Sequence, residues 1–270
     1  MITPLGYVSV GLYALSLVLY VLHLYQDKPA AGRAASALLA IGLLAHYFAL
    51  LERARAVHAV PYQDLYGSMS LFGWFLAITY LGLELRHRQR TAGAFVLPVV
   101  LLLFALATFL SPAAPPPPPA RGSLFAFHVT ANMLAYSAFT LSFVFSCMYL
   151  IQNRLLRGRR LGAVGWRMPS LELLEGMTRS GVRVGFVALV IGAALGFVAA
   201  DRLRGHYFSF DPKEIITVLI LAGYAVYLWL EGSTSWRGAR ASLLCALTYL
   251  AVVFSYTVVN LFLSRYHHFY

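Results

Sequence analysis

Eight apolar runs set the limits on what this chain can fold into: 5–25, 34–51, 65–84, 94–110, 124–151, 180–200, 214–230 and 241–264. Each comes close to the roughly 20 helical residues that a hydrocarbon core of about 30 Å requires. None carries an acid in its middle, and all ten Asp and Glu residues fall in loops or at run ends. Within lipid, every backbone N–H and C=O must be satisfied inside the segment, so the runs are expected to be helices. The expected fold class is therefore all-α, a polytopic membrane helix bundle with about eight transmembrane helices. Residues 1–270 read as a single domain, with no internal repeat and no boundary. No basic stretch precedes the first run, which reads as a retained span and not as a cleaved leader.

Charge decides partner class and orientation. Only 11% of residues are charged and 60% are hydrophobic, with a mean hydropathy of +0.71. Soluble domains carry about a quarter charged residues. The net charge of +11 sits in loops between apolar runs and forms no single face. Partnership with a lipid bilayer is therefore expected, and nucleic acid is not. With the N-terminus outside, the inner loops hold fourteen Lys and Arg residues and the outer segments seven. That imbalance places both termini on the outer side. The two cysteines, Cys147 and Cys245, lie inside apolar runs and form no C-x-x-C, zinc or haem-attachment pattern. They read as small core residues.

Two loops stand apart. Residues 111–122, SPAAPPPPPARG, read as a stiff polyproline II spacer on the outer side. Residues 166–183 place Ser170 after Pro169 as a helix cap, with Leu171, Leu174 and Met177 on one face. A short helix on the inner membrane surface is expected there.

The stretch HYFSFDPKE (206–214) joins two different signals. Asp211 at N-cap, Pro212 at N1 and Glu214 at N3 mark a helix start. The cap leaves Tyr207, Phe208 and Phe210 unexplained. An interfacial belt accounts for such rings, and so does a flat apolar shelf for a planar ligand. Span parity puts His128, His206 and the pair His267 and His268 on one side of the membrane. Behind them run two polar rows at i, i+4, i+8 spacing: His128, Asn132, Tyr136, and Tyr256, Asn260, Ser264. Such rows also serve as glue between helices. Imidazoles at a water-edged apolar site beside aromatic rings suit ligation of a haem iron.

These residues carry a resemblance. GHYFSFDPKEIITVLILAGYAVYLW (205–229) is similar to the tryptophan-rich haem-handling segment of the cytochrome c assembly family, the CcsA (ResC), CcmC and HemX-like membrane proteins. Gly205, Tyr207, Asp211, Pro212, Lys213 and Glu214 match that segment, while Phe208 and Phe210 stand where Trp is usual. AVPYQDLYGSMSLFGW (59–74), HVTANMLAYSAF (128–139) and VVNLFLSRYHHFY (258–270) resemble further family stretches in the same order.

The resemblance implies haem b, bound non-covalently and transiently. His128 matches one external ligand position, and His267 or His268 the other. His46 is similar to an intramembrane histidine of CcsA-type members. Arg202, Arg204 and Lys213 flank the rings and suit either haem propionates or lipid headgroups. Also implied are a bacterial inner-membrane location, a CcsB (ResB)-like membrane subunit and an apocytochrome c that receives haem. The chain is then no stand-alone enzyme but the haem-presenting part of a cytochrome c synthase complex. A HemX-like factor tied to haem synthesis is the nearest alternative. A small-molecule permease is the second, although the mid-membrane acids and paired broken helices that mark one are missing from the sequence.

Overall fold

The computed structural model describes residues 4–57, 65–110, 122–159, 167–205, 207–208, 210–255 and 257. The side chains of Val57, Leu203, Arg204 and Thr234 fall outside that description. Among the described residues, eight α-helices fall on the eight apolar runs: α1 (Pro4–Gln26), α2 (Pro29–Val57), α3 (Leu65–His87), α4 (Gly93–Phe109), α5 (Ser123–Arg157), α6 (Leu171–Arg204), α7 (Pro212–Leu230) and α8 (Ala239–Phe254). Six are long and apolar enough to cross a membrane, while α4 and α8, with 17 and 16 described residues, are apolar but shorter. The proline-rich run at 111–121 and the chain from 258 onward lie outside the described residues.

The chain divides into two compact units, Met1–Ala120 with Gln152–Leu173, and Arg121–Ile151 with Leu174–Tyr270. The first is built on α1 to α4. There α1 packs on α2 and α4, and α3 packs on the same two helices, so the four close on one another. Residues Gly6, Ser9, Tyr13, Ser16, Tyr20 and Leu24 repeat every three or four positions and are buried, which makes the inward stripe of α1 largely polar. Its rings need room. Tyr20 lies so close over Gly93 that an added Cβ would sit 2.6 Å from the ring.

In the second unit, α5 and α6 approach along a row of glycines on α6. A Cβ on Gly185 would meet the Phe139 ring at 2.6 Å, and one on Gly192 would meet Asn132 at the same distance. Small residues let helix backbones come close where lipid supplies no hydrophobic drive. The same Phe139 ring also stacks on Tyr224 of α7 with ring centroids 3.8 Å apart. Thr140 and Tyr249 of α8 share a hydrogen bond of 2.8 Å. Both cysteines are free, Cys245 buried and Cys147 half-buried.

The inner-surface helix expected at 166–183 is not a separate element. Ser170 does cap, with its Oγ accepting from Leu173 N at 3.3 Å, but the helix runs unbroken to Arg204. Its 34 residues span about 51 Å at 1.5 Å each, well beyond a hydrocarbon core. Two of its charged side chains reach the C-cap residue of α7. Arg179 Nε and Arg183 Nη2 both lie 2.9 Å from Glu231 Oε1. Pairing removes the reason for those turns to lie flat in headgroups.

Candidate functional site

The start of α7 forms as the sequence indicates. Asp211 is extended (φ −61°, ψ 136°), and its carboxylate accepts from Lys213 N at 2.9 Å, with Pro212 at the first helical position. Asp211 is 3% exposed, so the cap is internal and not a surface turn. The preceding rings divide. Phe208 is half-buried, 6.0 Å from Phe197 of α6, and meets Phe210 edge-on at 4.9 Å. Phe210 is 77% exposed and Tyr207 is 61% exposed. Phe210 also holds φ at +57°. A bulky residue in the left-handed region is strained by roughly 1–3 kcal/mol. Strain and exposure together fix an outward-facing ring directly before the cap.

His128 and Asn132 of the α5 polar row face α6. The His128 Nδ1 lies 2.7 Å from the Gly192 carbonyl oxygen. A carbonyl only accepts, so Nδ1 carries the proton and Nε2 keeps its lone pair. Asn132 Nδ2 donates to the His128 carbonyl at 3.0 Å and lies 3.3 Å from Nε2. Gly196 completes the seat, because a Cβ there would fall 2.6 Å from the imidazole Cε1. From α7, the Lys213 ammonium donates to the Ser255 carbonyl at 3.1 Å and stands 6.0 Å from the Tyr136 ring centroid. One end of this unit thus gathers an imidazole, an amide, a phenol, an ammonium and a set of rings.

The remaining expected residues are distributed as follows. Arg202 is exposed. His206, His267 and His268 lie outside the described residues, as do Tyr256, Asn260 and Ser264 and the Arg204 side chain. His46 belongs to the first unit and is fully buried. Its Nδ1 is 3.2 Å from the Tyr13 hydroxyl, its Nε2 is 3.0 Å from Ser70 Oγ, and its ring stacks on Phe104 at 3.6 Å. Both nitrogens are engaged.

One buried cluster was missed by sequence reasoning. Glu84 of α3 is 1% exposed. Tyr20 donates to its Oε2 at 2.5 Å and Ser36 donates to its Oε1. Arg90 Nε donates to Ser36 at 3.1 Å and stands 3.7 Å from Oε1. The available signal was the row Ser9, Tyr13, Ser16, Tyr20, which marks a polar inward face on α1. Among the described residues, no three His, Cys, Asp or Glu side chains converge as a metal cage. A porphyrin iron asks less of a protein, one or two imidazoles at axial positions.

These features define a multi-pass helical membrane protein whose second unit seats the His128 imidazole against α6. The family described as Cytochrome C assembly protein matches residues 62–267, and the chain belongs to it. Protein HemX of Brevibacillus brevis is 28% identical over 257 residues, covering 92% of each chain. Cytochrome c biogenesis protein CcsA of Synechococcus sp. (strain CC9902) is 29% identical over 227 residues, covering 74% of this chain and 75% of the relative. CcsA of Porphyra purpurea is 27% identical over 240 residues, with coverage of 74% and 75%. Among solved structures, the Cytochrome c Heme Lyase CcmF shares the fold with a TM-score of 0.68 at 16% identity. That match takes in 93% of this chain and 45% of the lyase, so the chain spans under half the lyase's length.

Proposed function

We propose that the chain binds haem b non-covalently and transiently at the outer face of a bacterial inner membrane and presents it to an apocytochrome c. The reading is carried by His128, whose Nδ1–H is held by the Gly192 carbonyl, leaving on Nε2 a lone pair whose one contact among the described residues, Asn132 Nδ2 at 3.3 Å, an iron would replace. Membership of the cytochrome c assembly family supports it. His267 or His268 would supply a second imidazole to hold the iron. Tyr207, Phe208 and Phe210 form the shelf for the porphyrin face, with Asp211 anchoring their backbone and Arg202 and Arg204 flanking the ligand edge. Both termini lie on the outer side, as the Lys and Arg distribution indicates.

Haem brings the vinyl groups that accept thiols, and the apocytochrome brings the thiols. This chain's residues bind, orient and position. A CcsB (ResB)-like membrane subunit completes the complex. His46 acts as an intramembrane stop for haem only if Ser70 releases its Nε2.

A second reading has its own observation. The likeness to Protein HemX runs over 92% of both chains, and Phe208 and Phe210 replace the indoles usual in the family segment. On that reading the protein is a non-catalytic membrane factor linked to haem synthesis.

Purification in mild detergent followed by haem titration tests the binding step. A Soret band that weakens in His128→Ala and in the His267→Ala/His268→Ala double variant is expected. Protein that stays colourless after haem is supplied rejects the haem-presentation reading. Transfer of bound haem to an apocytochrome peptide separates the two readings, since only the assembly reading requires it. A C-terminal reporter active solely in the cytoplasm overturns the orientation.

A further inference from the structure

We infer that Lys213 is the residue that holds a carboxylate of the ligand, a role that rests on the haem-binding reading above. The ammonium group is placed for it. Lys213 is half-buried, and its stem leads inward from the first turn of α7 to the last described turn of α8, where Nζ donates to the Ser255 carbonyl at 3.1 Å. Ser255 itself is fully buried. The ammonium has three donors, and this carbonyl is the one hydrogen-bond acceptor it reaches among the described residues. Its next neighbour is the face of the Tyr136 ring at 6.0 Å. Among the described residues it makes no ion pair. The adjacent carboxylate, Asp211, has turned its Oδ1 back onto Lys213 N to cap the helix.

The Asp211 charge offsets part of the cation through space, but among the described residues no carboxylate hydrogen-bonds the ammonium, and an incoming one gives it a charge-assisted bond. Position selects the carboxylate. Tyr136, the ring beside the ammonium, lies on the α5 face that carries His128, eight residues or about 12 Å along the helix. A planar ligand with a metal at its centre and a carboxylate on a short arm offers one group to each. Arg202, by contrast, is exposed. Among the cations of this segment whose side chains are described, Lys213 is thus the one turned inward.

The test uses the full chain in detergent and two ligands, haem and its dimethyl ester, in which both propionates are neutral. Soret titrations give the two affinities for the wild type, Lys213→Gln and Lys213→Arg. The wild type is expected to prefer haem by at least about tenfold, equivalent to about 1.4 kcal/mol. Lys213→Gln should weaken haem while leaving the ester unchanged, erasing most of the preference, and Lys213→Arg should restore it. The His128-dependent band position should stay constant throughout. Equal wild-type affinities overturn the inference even if Lys213→Gln fails to fold. A preference retained in Lys213→Gln overturns it as well. In both cases haem binding itself survives. Failure of the haem reading looks different, because then neither ligand gives a band that depends on His128, and the role of Lys213 falls with it.

Discussion

Replacing Gly196 by Ala tests whether the seat of His128 is as tight as the geometry indicates. The new Cβ falls 2.6 Å from Cε1 and 2.7 Å from Nδ1 of the imidazole, against 3.4 Å for ordinary contact. The ring must therefore move by about 0.8 Å. Its Nδ1–H bond to Gly192 starts at 2.7 Å and is stretched toward 3.5 Å, where little strength remains. Overpacking of this kind costs about 1–3 kcal/mol, partly offset by the higher helix propensity of Ala, up to about 1 kcal/mol. A net loss of about 1–2 kcal/mol is expected by thermal unfolding in detergent, together with a drop in haem affinity of tenfold or more. Ala at Gly82, with nothing within 4 Å, serves as the control and should be neutral or stabilising. In a His128→Ala background the clash has no partner, so Gly196→Ala should cost nothing. The double-mutant cycle then shows a coupling of about 1–3 kcal/mol. An equal cost in both backgrounds, or unchanged haem affinity in the single variant, refutes the reasoning.

Three further outcomes follow from the packing. Phe210→Gly removes a non-glycine residue at φ +57°, so the unfolding midpoint should rise, by about 1 kcal/mol in stability, while haem binding weakens; a fall in stability contradicts the strain argument. Glu84→Ala leaves the Tyr20 and Ser36 hydroxyls without their acceptor and should cost at least about 2 kcal/mol, with a change below 0.5 kcal/mol counting against the cluster as a structural lock. Ser70→Ala frees Nε2 of His46, so purified protein should retain more haem if that histidine receives it in transit; unchanged haem content argues against the role.

How far the sequence could be read depended on whether a feature was local. The eight helices were legible because apolar length and absent acids are properties of single segments. The start of α7 was legible because Asp211 and Pro212 act within one turn. The row His128, Asn132, Tyr136 also read correctly as one face, since helical spacing alone defines it. What lay opposite that row did not follow. Gly192 and Gly196 are ordinary small residues in the sequence, and only the pairing of α5 with α6 makes them the seat of an imidazole. The Glu84 cluster was hidden for the same reason, because Tyr20, Ser36 and Glu84 come from three helices. Its acid stood three residues from the end of α3 and looked like an ordinary boundary charge. The surface helix at 166–183 failed on a long-range pair. Ser170 and the face Leu171, Leu174, Met177 read as a short separate helix, and nothing local showed that its turns run on into α6, where Arg179 and Arg183 pair with Glu231 some fifty residues on.

The central claim is that His128 Nε2 ligates haem iron, and chemical rescue addresses that atom directly. His128→Gly protein is titrated with haem, and its spectrum is recorded before and after adding free imidazole. The expected result is loss of the wild-type low-spin spectrum in the variant and its return with imidazole, which fills the emptied space and supplies the missing nitrogen. A variant that binds haem with the wild-type spectrum and ignores imidazole contradicts the account.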